Sequence, residues 1–369
     1  MSESGALQSL ASLWPRASLW PRASLWPRAS LWPRASLWPR DAEGSGASID
    51  LAALRGSLVQ DLGQGPRSVE VPLVGTANLM QWAGSARAQS LLLESLGGLR
   101  VRSDEKLGCA WVERLVEVAG RLEWRSLCKL YRPPQAYFRA QIALVDAQLP
   151  LRESRAYELQ AQADAAIEYF FALLQWGPGQ RPHSQEFLAL ALAQLQSVQM
   201  RLKQMLACPR PHRLQPRLIP FLDVPGHGSL PSGHGGESHL VAALLGHWLG
   251  LSGARPEEQA MLERLALRIA ENRVVAGLHY PIDNVAGRLL GETLFRHWLA
   301  VLERQPVQQT RFGSEGDWQA ELAQPEQGAP QEGQSPLAHR LCAVESDSVP
   351  ANPMPDHAEL WRLACAEWR

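Results

Sequence analysis

The sequence predicts an all-α fold, and three stretches carry the prediction. Residues 151–176 (LRESRAYELQAQADAAIEYFFALLQW) are rich in helix formers and contain neither Pro nor Gly. Leu188, Leu192, Leu195, Leu202 and Leu206 recur at helical spacing behind Ser184, a residue type that caps helices. Leu240, Val241, Leu244, Leu245, Trp248 and Leu249 form a third helical stripe. With 46% apolar residues in 369, the chain can bury a sizeable core.

Composition narrows the function classes. Formal net charge is −1, and removing the five arginines of residues 11–40 leaves 31 basic against 37 acidic residues, a net of −6. That balance argues against a nucleic-acid partner. Only three of the basic residues are lysines (Lys106, Lys129, Lys203), so a lysine-dependent motif has few chances to arise by accident. Cys109, Cys128, Cys208, Cys342 and Cys365 are odd in number and form no CxxC, which points to free thiols in a reducing compartment. The N-terminus MSESGALQSL lacks a secretory pattern. No apolar run approaches the ~20 residues needed to cross a bilayer. The expected location is therefore cytoplasmic, and a homo-oligomer is left open.

In chain order, residues 1–48 form a low-complexity arm and linker in which ASLWPR repeats five times from Ala11 to Arg40. A proline every sixth residue prevents a helix, so the arm is expected to be disordered. Residues 49–150 read as a mostly helical region, with helical stretches around Leu91–Leu99 and Trp111–Val118 and room for a short strand over Ser68–Val74. Residues 151–304 make the main helical bundle. Within it GPGQRP ends the first helix, and Ser184 opens a second that runs to about Leu206. Lys203 lies at the edge of that helix's apolar stripe, where a lysine either snorkels to solvent or faces an anion. A proline-punctuated loop, CPRPHRLQPRLIPFLDVPGHGSLPSGH, leads to the third helix. A fourth starts at Pro256 with Met261, Leu262, Leu265 and Ile269 inward, and Arg273 continues that face. An arginine there requires an anionic partner. Pro281 starts a fifth helix, with Asp283 in its first turn. Residues 305–369, rich in Gln, Glu, Gly and Pro, read as an acidic, largely disordered tail with a short helix over Ala358–Trp368.

Three segments present oxyanion-binding residue types. They are Lys203 with Arg210-Pro211, Pro231-Ser232-Gly233-His234 at a helix start, and Arg273 with His279 and Asp283. In order and spacing they resemble the signature motifs of the type 2 phosphatidic acid phosphatase/vanadium-dependent haloperoxidase superfamily: Lys-x6-Arg-Pro, Pro-Ser-Gly-His and Ser-Arg-x5-His-x3-Asp. Asn272 stands where that family often has serine. The resemblance implies a helical bundle of the acid phosphatase/vanadium haloperoxidase type. It implies Lys203, Arg210, Ser232, Gly233 and Arg273 as the oxyanion cradle, His279 as the apical residue oriented by Asp283, and His234 as acid/base. Two other readings of these residues fail. HGGESH (234–239) is neither HExxH nor HxxEH, and its two histidines would point about 140° apart on a helix. Ser232 lacks the GxSxG elbow of a serine hydrolase.

Two reactions remain. His227 lies four residues before Pro231, where the bromide-type haloperoxidases resemble this chain in carrying a second histidine. On that residue the expected activity is a vanadium-dependent haloperoxidase. Vanadate would be its cofactor, held on His279, with hydrogen peroxide and halide as substrates. The alternative is a soluble phosphatase that hydrolyses phosphate esters through a phosphohistidine on His279 and needs no cofactor. A more distant alternative, a scaffold displaying the repeat arm, leaves the full set of site residues unexplained.

Overall fold

The computed structural model describes residues 75–177, 179–251, 255–323, 341–347 and 349–369. The repeat arm and the Ser68–Val74 segment lie outside them. The described residues form a helical core with a five-stranded sheet packed against it, so the all-α expectation is corrected to a mostly helical α+β fold.

Two helices, α1 (Thr76–Leu79) and α2 (Gly84–Gly97), precede β1 (Leu99–Asp104), β2 (Cys109–Val118) and β3 (Arg121–Tyr131). The Trp111–Val118 stretch expected to be helical lies within β2 and runs to its end. Its pattern has period two, with Ala110, Val112, Arg114 and Val116 buried and Trp111, Glu113, Leu115 and Glu117 facing away. Arg114 interrupts the apolar alternation. It is buried against Asp347 at 2.6 Å and against the carbonyls of Val349 and Pro350, partners far away in sequence. Ala119 and Gly120, at φ 49° and 76°, close the β2–β3 hairpin in the doubly left-handed conformation that suits a two-residue turn.

Next come α3 (Gln135–Gln148), a 3-10 turn at Leu149–Leu151, α4 (Arg152–Ala165) and α5 (Glu168–Leu173). The single helix expected over 151–176 is thus broken. Its halves serve different clusters, Leu159 packing with Val275, Ala276 and Leu278 while Phe170 joins the main core. Tertiary packing overrides a uniform helix propensity here.

The central helix, α6 (Pro182–Leu206), is buried along most of its length. It starts at Pro182 rather than at a Ser184 cap. Glu367, near the C-terminus of the chain, accepts the backbone N–H groups of His183 (2.9 Å) and Ser184 (2.8 Å) and so caps the helix from outside. A short helix, α7 (Pro211–Leu214), leads through the long loop to α8 (Gly233–Trp248), α9 (Pro256–Val275) and α10 (Pro281–Leu302). Helices α8 and α10 cross at very short range. A Cβ on Gly287 would lie 2.5 Å from the Ser232 carbonyl oxygen, and one on Gly291 would collide with the Gly236 carbonyl.

The tail expected to be largely disordered contains β4 (Val307–Phe312), α11 (Glu315–Ala323), β5 (Cys342–Asp347) and α12 (Pro355–Ala366). Strand β4 pairs in parallel with β3 and antiparallel with β5, giving the order β1-β2-β3-β4-β5. Val307, Phe312, Trp318, Leu341, Leu360 and Trp361 anchor this segment, all of them buried. Burying each such side chain stabilises by roughly 1.5–3 kcal/mol, which outweighs the polar average of the segment. The terminal helix expected over Ala358–Trp368 is α12. Among the described residues no helix is long and apolar enough to cross a membrane.

Candidate functional site

Eight of the nine residues singled out in the sequence lie where the C-terminal end of α6, the 207–232 loop and the starts of α8 and α10 meet, and the ninth, Arg273 in the last turn of α9, joins them through its carbonyl, which accepts the His279 N–H at 3.3 Å. Each is placed there by a local reason. Lys203 sits in the last turn of α6, and Ala207, in the left-handed region at φ 47°, ends that helix and turns the chain toward Arg210. Ser232 is the N-cap of α8, its hydroxyl accepting the Gly235 N–H at 3.2 Å. The Ser232 N–H donates to the Asp283 carbonyl at 2.9 Å, which ties the α8 start to the first turn of α10. Pro281 opens α10. The Asp283 carboxylate accepts the Tyr280 N–H at 3.0 Å, so the residue that caps α10 also reaches His279.

His279 donates its Nδ1–H to Asp283 Oδ2 at 3.0 Å, which leaves the Nε2 lone pair directed away from the carboxylate. The imidazole is 5% exposed. Burial holds its pKa well below the ordinary histidine value, and the positive charges of Arg210 and Lys203 push it the same way. The ring is therefore neutral at pH 7. Asp283 is fully buried, and its second oxygen lies 3.4 Å from the Ser229 hydroxyl. Burial pushes this carboxyl up, against the opposing pull of the Tyr280 N–H, Lys203, Arg210 and Ser229.

Lys203 is 2% exposed, so it does not snorkel. Its ammonium donates to the carbonyls of Gly228 (3.2 Å) and Ser229 (3.0 Å). Burial and the neighbouring Arg210 lower its pKa. The Arg210 guanidinium is spread over the His227 carbonyl (3.0 Å), the Leu278 carbonyl (2.8 Å) and His227 Nδ1 (3.3 Å). Its Nη1 donates to His279 Nε2 at 3.5 Å, so a cation sits at the edge of the imidazole opposite Asp283. Burial brings the Arg210 pKa down to about 10. Arg273, buried on α9, donates to the Leu159 carbonyl at 3.2 Å. His234 is half-buried in the first turn of α8 and lies 3.0 Å from the Gln162 carbonyl through Nε2. His239 turns elsewhere, to the Gly235 carbonyl of its own helix at 2.7 Å.

Sequence reasoning missed the supports contributed by other segments. Asn272 donates to Glu158 (3.0 Å) and Gln162 (2.8 Å) of α4, which holds the carbonyl facing His234. Glu158 also takes both guanidinium arms of Arg268 at 2.9 Å, and this pairing draws its pKa down to about 2. From α3, Gln141 accepts the Ile282 N–H at 3.3 Å, and the ring of Phe138 lies 5.0 Å from that of Tyr280. Gln199 and Glu237, buried on α6 and α8, pair at 3.0 Å behind Gly233. Such contacts join elements remote in sequence. The one signal available beforehand was the presence of polar residues on otherwise apolar helix faces.

Residues 186–306 match a family model described as the PAP2 superfamily, and this range includes every site residue named in the three motifs. A 68-residue stretch, 18% of the chain, is 41% identical to a non-specific acid phosphatase from Salmonella typhi. The match spans 25% of that relative's length. Among solved structures the chain is similar to a transmembrane PAP2 type phosphatidylglycerolphosphate phosphatase from Bacillus subtilis. That similarity has 19% identity and a TM-score of 0.37, and it covers 46% of this chain and 88% of the other.

Proposed function

We propose that this chain, which belongs to the PAP2 superfamily across residues 186–306, hydrolyses phosphate esters through a covalent intermediate on His279. The observation that carries this reading is the state of His279. It is neutral by burial, its Nδ1–H is tied to Asp283, and its Nε2 lone pair points at Arg210, whose Nη1 donates to it at 3.5 Å. An imidazole so held is a nucleophile in a fixed tautomer.

In the proposed reaction the phosphoryl group lies among Lys203, Arg210 and Arg273, with the Gly233 N–H and the Ser232 hydroxyl as further donors. Charge-assisted bonds of this kind stabilise the charge spread over the equatorial oxygens in the transition state. His279 Nε2 forms a bond to phosphorus as the P–O bond to the leaving group breaks. Asp283 stabilises the positive charge that develops on the ring. His234 supplies the proton to the departing oxygen. With its Nε2–H on the Gln162 carbonyl, the proton moves through Nδ1. His234 then takes a proton from water, the water oxygen bonds to phosphorus, and the P–N bond breaks to release phosphate and regenerate His279.

The same donors fit vanadate, an oxyanion of like shape, with His279 as its protein ligand. Bound vanadate would supply peroxide activation for halide oxidation. His227, 3.3 Å from Arg210, is the residue that would favour that chemistry. The acid phosphatase match supports the phosphatase as the first reading. The test is to assay p-nitrophenyl phosphate hydrolysis and peroxide-dependent bromination on metal-free protein, each with and without orthovanadate. Phosphate release that vanadate inhibits is expected. Bromination that appears with vanadate, without phosphatase activity, would overturn the reading.

A further inference from the structure

The proposed mechanism leaves unused the buried carboxyl of Glu237, which lies beside the site. Glu237 lies one helical turn after Gly233 on α8 and is 3% exposed. It accepts one neutral hydrogen bond, from Gln199 Nε2 at 3.0 Å. Gln199 in turn lies one helical turn before Lys203 on α6. A Cβ on Gly233 would come within 3.5 Å of Gln199 Nε2 and 3.6 Å of Glu237 Oε1, so the pair lies directly behind the residue that opens the oxyanion cradle.

Charge balance makes the pair consequential. In the oxyanion site as proposed, with all groups ionised, the three cations Lys203, Arg210 and Arg273 and the two carboxylates Asp283 and Glu237 sum to one net positive charge. A dianion overbalances that charge, and one added proton restores neutrality. The two carboxyls differ in where the proton fits. Asp283 accepts from His279, Tyr280 and Ser229, whereas Glu237 accepts from one amide. Gln199 Oε1 is buried without a hydrogen-bond partner. Rotation of the Gln199 amide would offer that oxygen to a protonated Glu237, whose O–H would then donate to it. Burial already raises the Glu237 carboxyl to about 7. Lys203 is the charged group that bears on it from α6. On α10, Arg288 and Glu292 act on His239, about 200° around α8 from Glu237. From α9, the Ala266 carbonyl accepts the hydroxyl of Ser238, the next residue on α8.

We propose that Glu237 is a positioning residue that takes up a proton when a tetrahedral dianion enters the site, so that the anion binds the form of the protein in which Glu237 is neutral. The inference rests on the oxyanion-site reading. Its sign is fixed, because binding raises the affinity of Glu237 for its proton. Anion affinity is therefore full below the titration point of the free protein and falls as pH rises through it, by up to about tenfold per pH unit.

The test uses sulfate, a tetrahedral dianion whose charge does not change across the neutral range. Binding is followed by titration calorimetry in two buffers of different ionisation enthalpy, on the wild type and on Glu237→Gln. Any protons taken up by Lys203 remain in the variant, so the difference between the two proteins counts Glu237. The wild type is expected to take up more protons than Glu237→Gln, by up to about one per sulfate bound, and to lose affinity with rising pH more steeply. Equal proton uptake in the two proteins would overturn the inference while leaving the anion site standing. A folded wild type that binds no sulfate would overturn the site reading and the inference together. Should Glu237→Gln fail to fold, infrared difference spectra of the wild type decide the matter. A protonated-carboxyl band appearing on sulfate binding supports the proposal, and its absence refutes it.

Discussion

His279 and Asp283 meet across the first turn of α10 at 3.0 Å, the carboxylate accepting Nδ1–H while also accepting the Tyr280 N–H that starts the helix. One residue therefore caps the helix and fixes the tautomer of the imidazole. Asp283→Asn keeps the shape but presents an amide where the ring needs an acceptor. The expected result is a fall in kcat of at least about 100-fold with little change in KM, read by steady-state kinetics on p-nitrophenyl phosphate. Undiminished kcat would show that the carboxylate does not orient the ring.

In the proposed reading the buried cations Lys203, Arg210 and Arg273 receive a tetrahedral anion. Inorganic phosphate is expected to raise the melting temperature of the wild type, the stabilisation reaching about 2.7 kcal/mol at a hundredfold excess over Kd. In Arg210→Ala the increase should largely disappear. An equal thermal shift in both proteins would place the phosphate elsewhere.

The Gly287–Ser232 contact sets how closely α10 approaches the start of α8. A Cβ at Gly287 would be 2.5 Å from the Ser232 carbonyl oxygen. Gly287→Ala must therefore displace Ser232 and Gly233 together. We expect a stability loss of roughly 1–3 kcal/mol by denaturant unfolding and a drop in kcat larger than that caused by substitutions remote from the site. Wild-type stability and activity in this variant would contradict the geometry.

His297, in the second half of α10, is buried and held neutral, its pKa brought down to about 4 by burial and by Arg114. Its folded-state pKa lies below the unfolded value, so its contribution is fully present above about pH 6.5 and is lost as pH falls toward about 4. Stability measured for His297→Asn should fall less than that of the wild type over that window, by up to about 3 kcal/mol. Parallel pH profiles would contradict a neutral, buried His297.

The helices that carry the site were legible because their apolar spacing is local, as in the leucine stripe of α6. The candidate site residues were legible because their order and spacing resemble three signature motifs of a known superfamily. The sheet was not. Arg114 masked the alternation of β2, and the parallel partner of β3 comes from Val307–Phe312, in a segment whose average composition reads as solvated. Its buried anchors are too widely spaced to register as a pattern until α12 and the tryptophans of the core come together. Gln162, Asn272 and Glu158 stayed hidden for a related reason. Each acts through a partner on another helix, and no short motif encodes that pairing.

The central claim is that His279 is the nucleophile, and trapping the intermediate tests it most directly. Protein quenched during turnover of a phosphate ester should carry one acid-labile phosphoryl group, mapped by mass spectrometry to His279 and missing from His279→Ala, which should also lose activity. A phosphoryl group on another residue, or full activity in His279→Ala, would contradict the account.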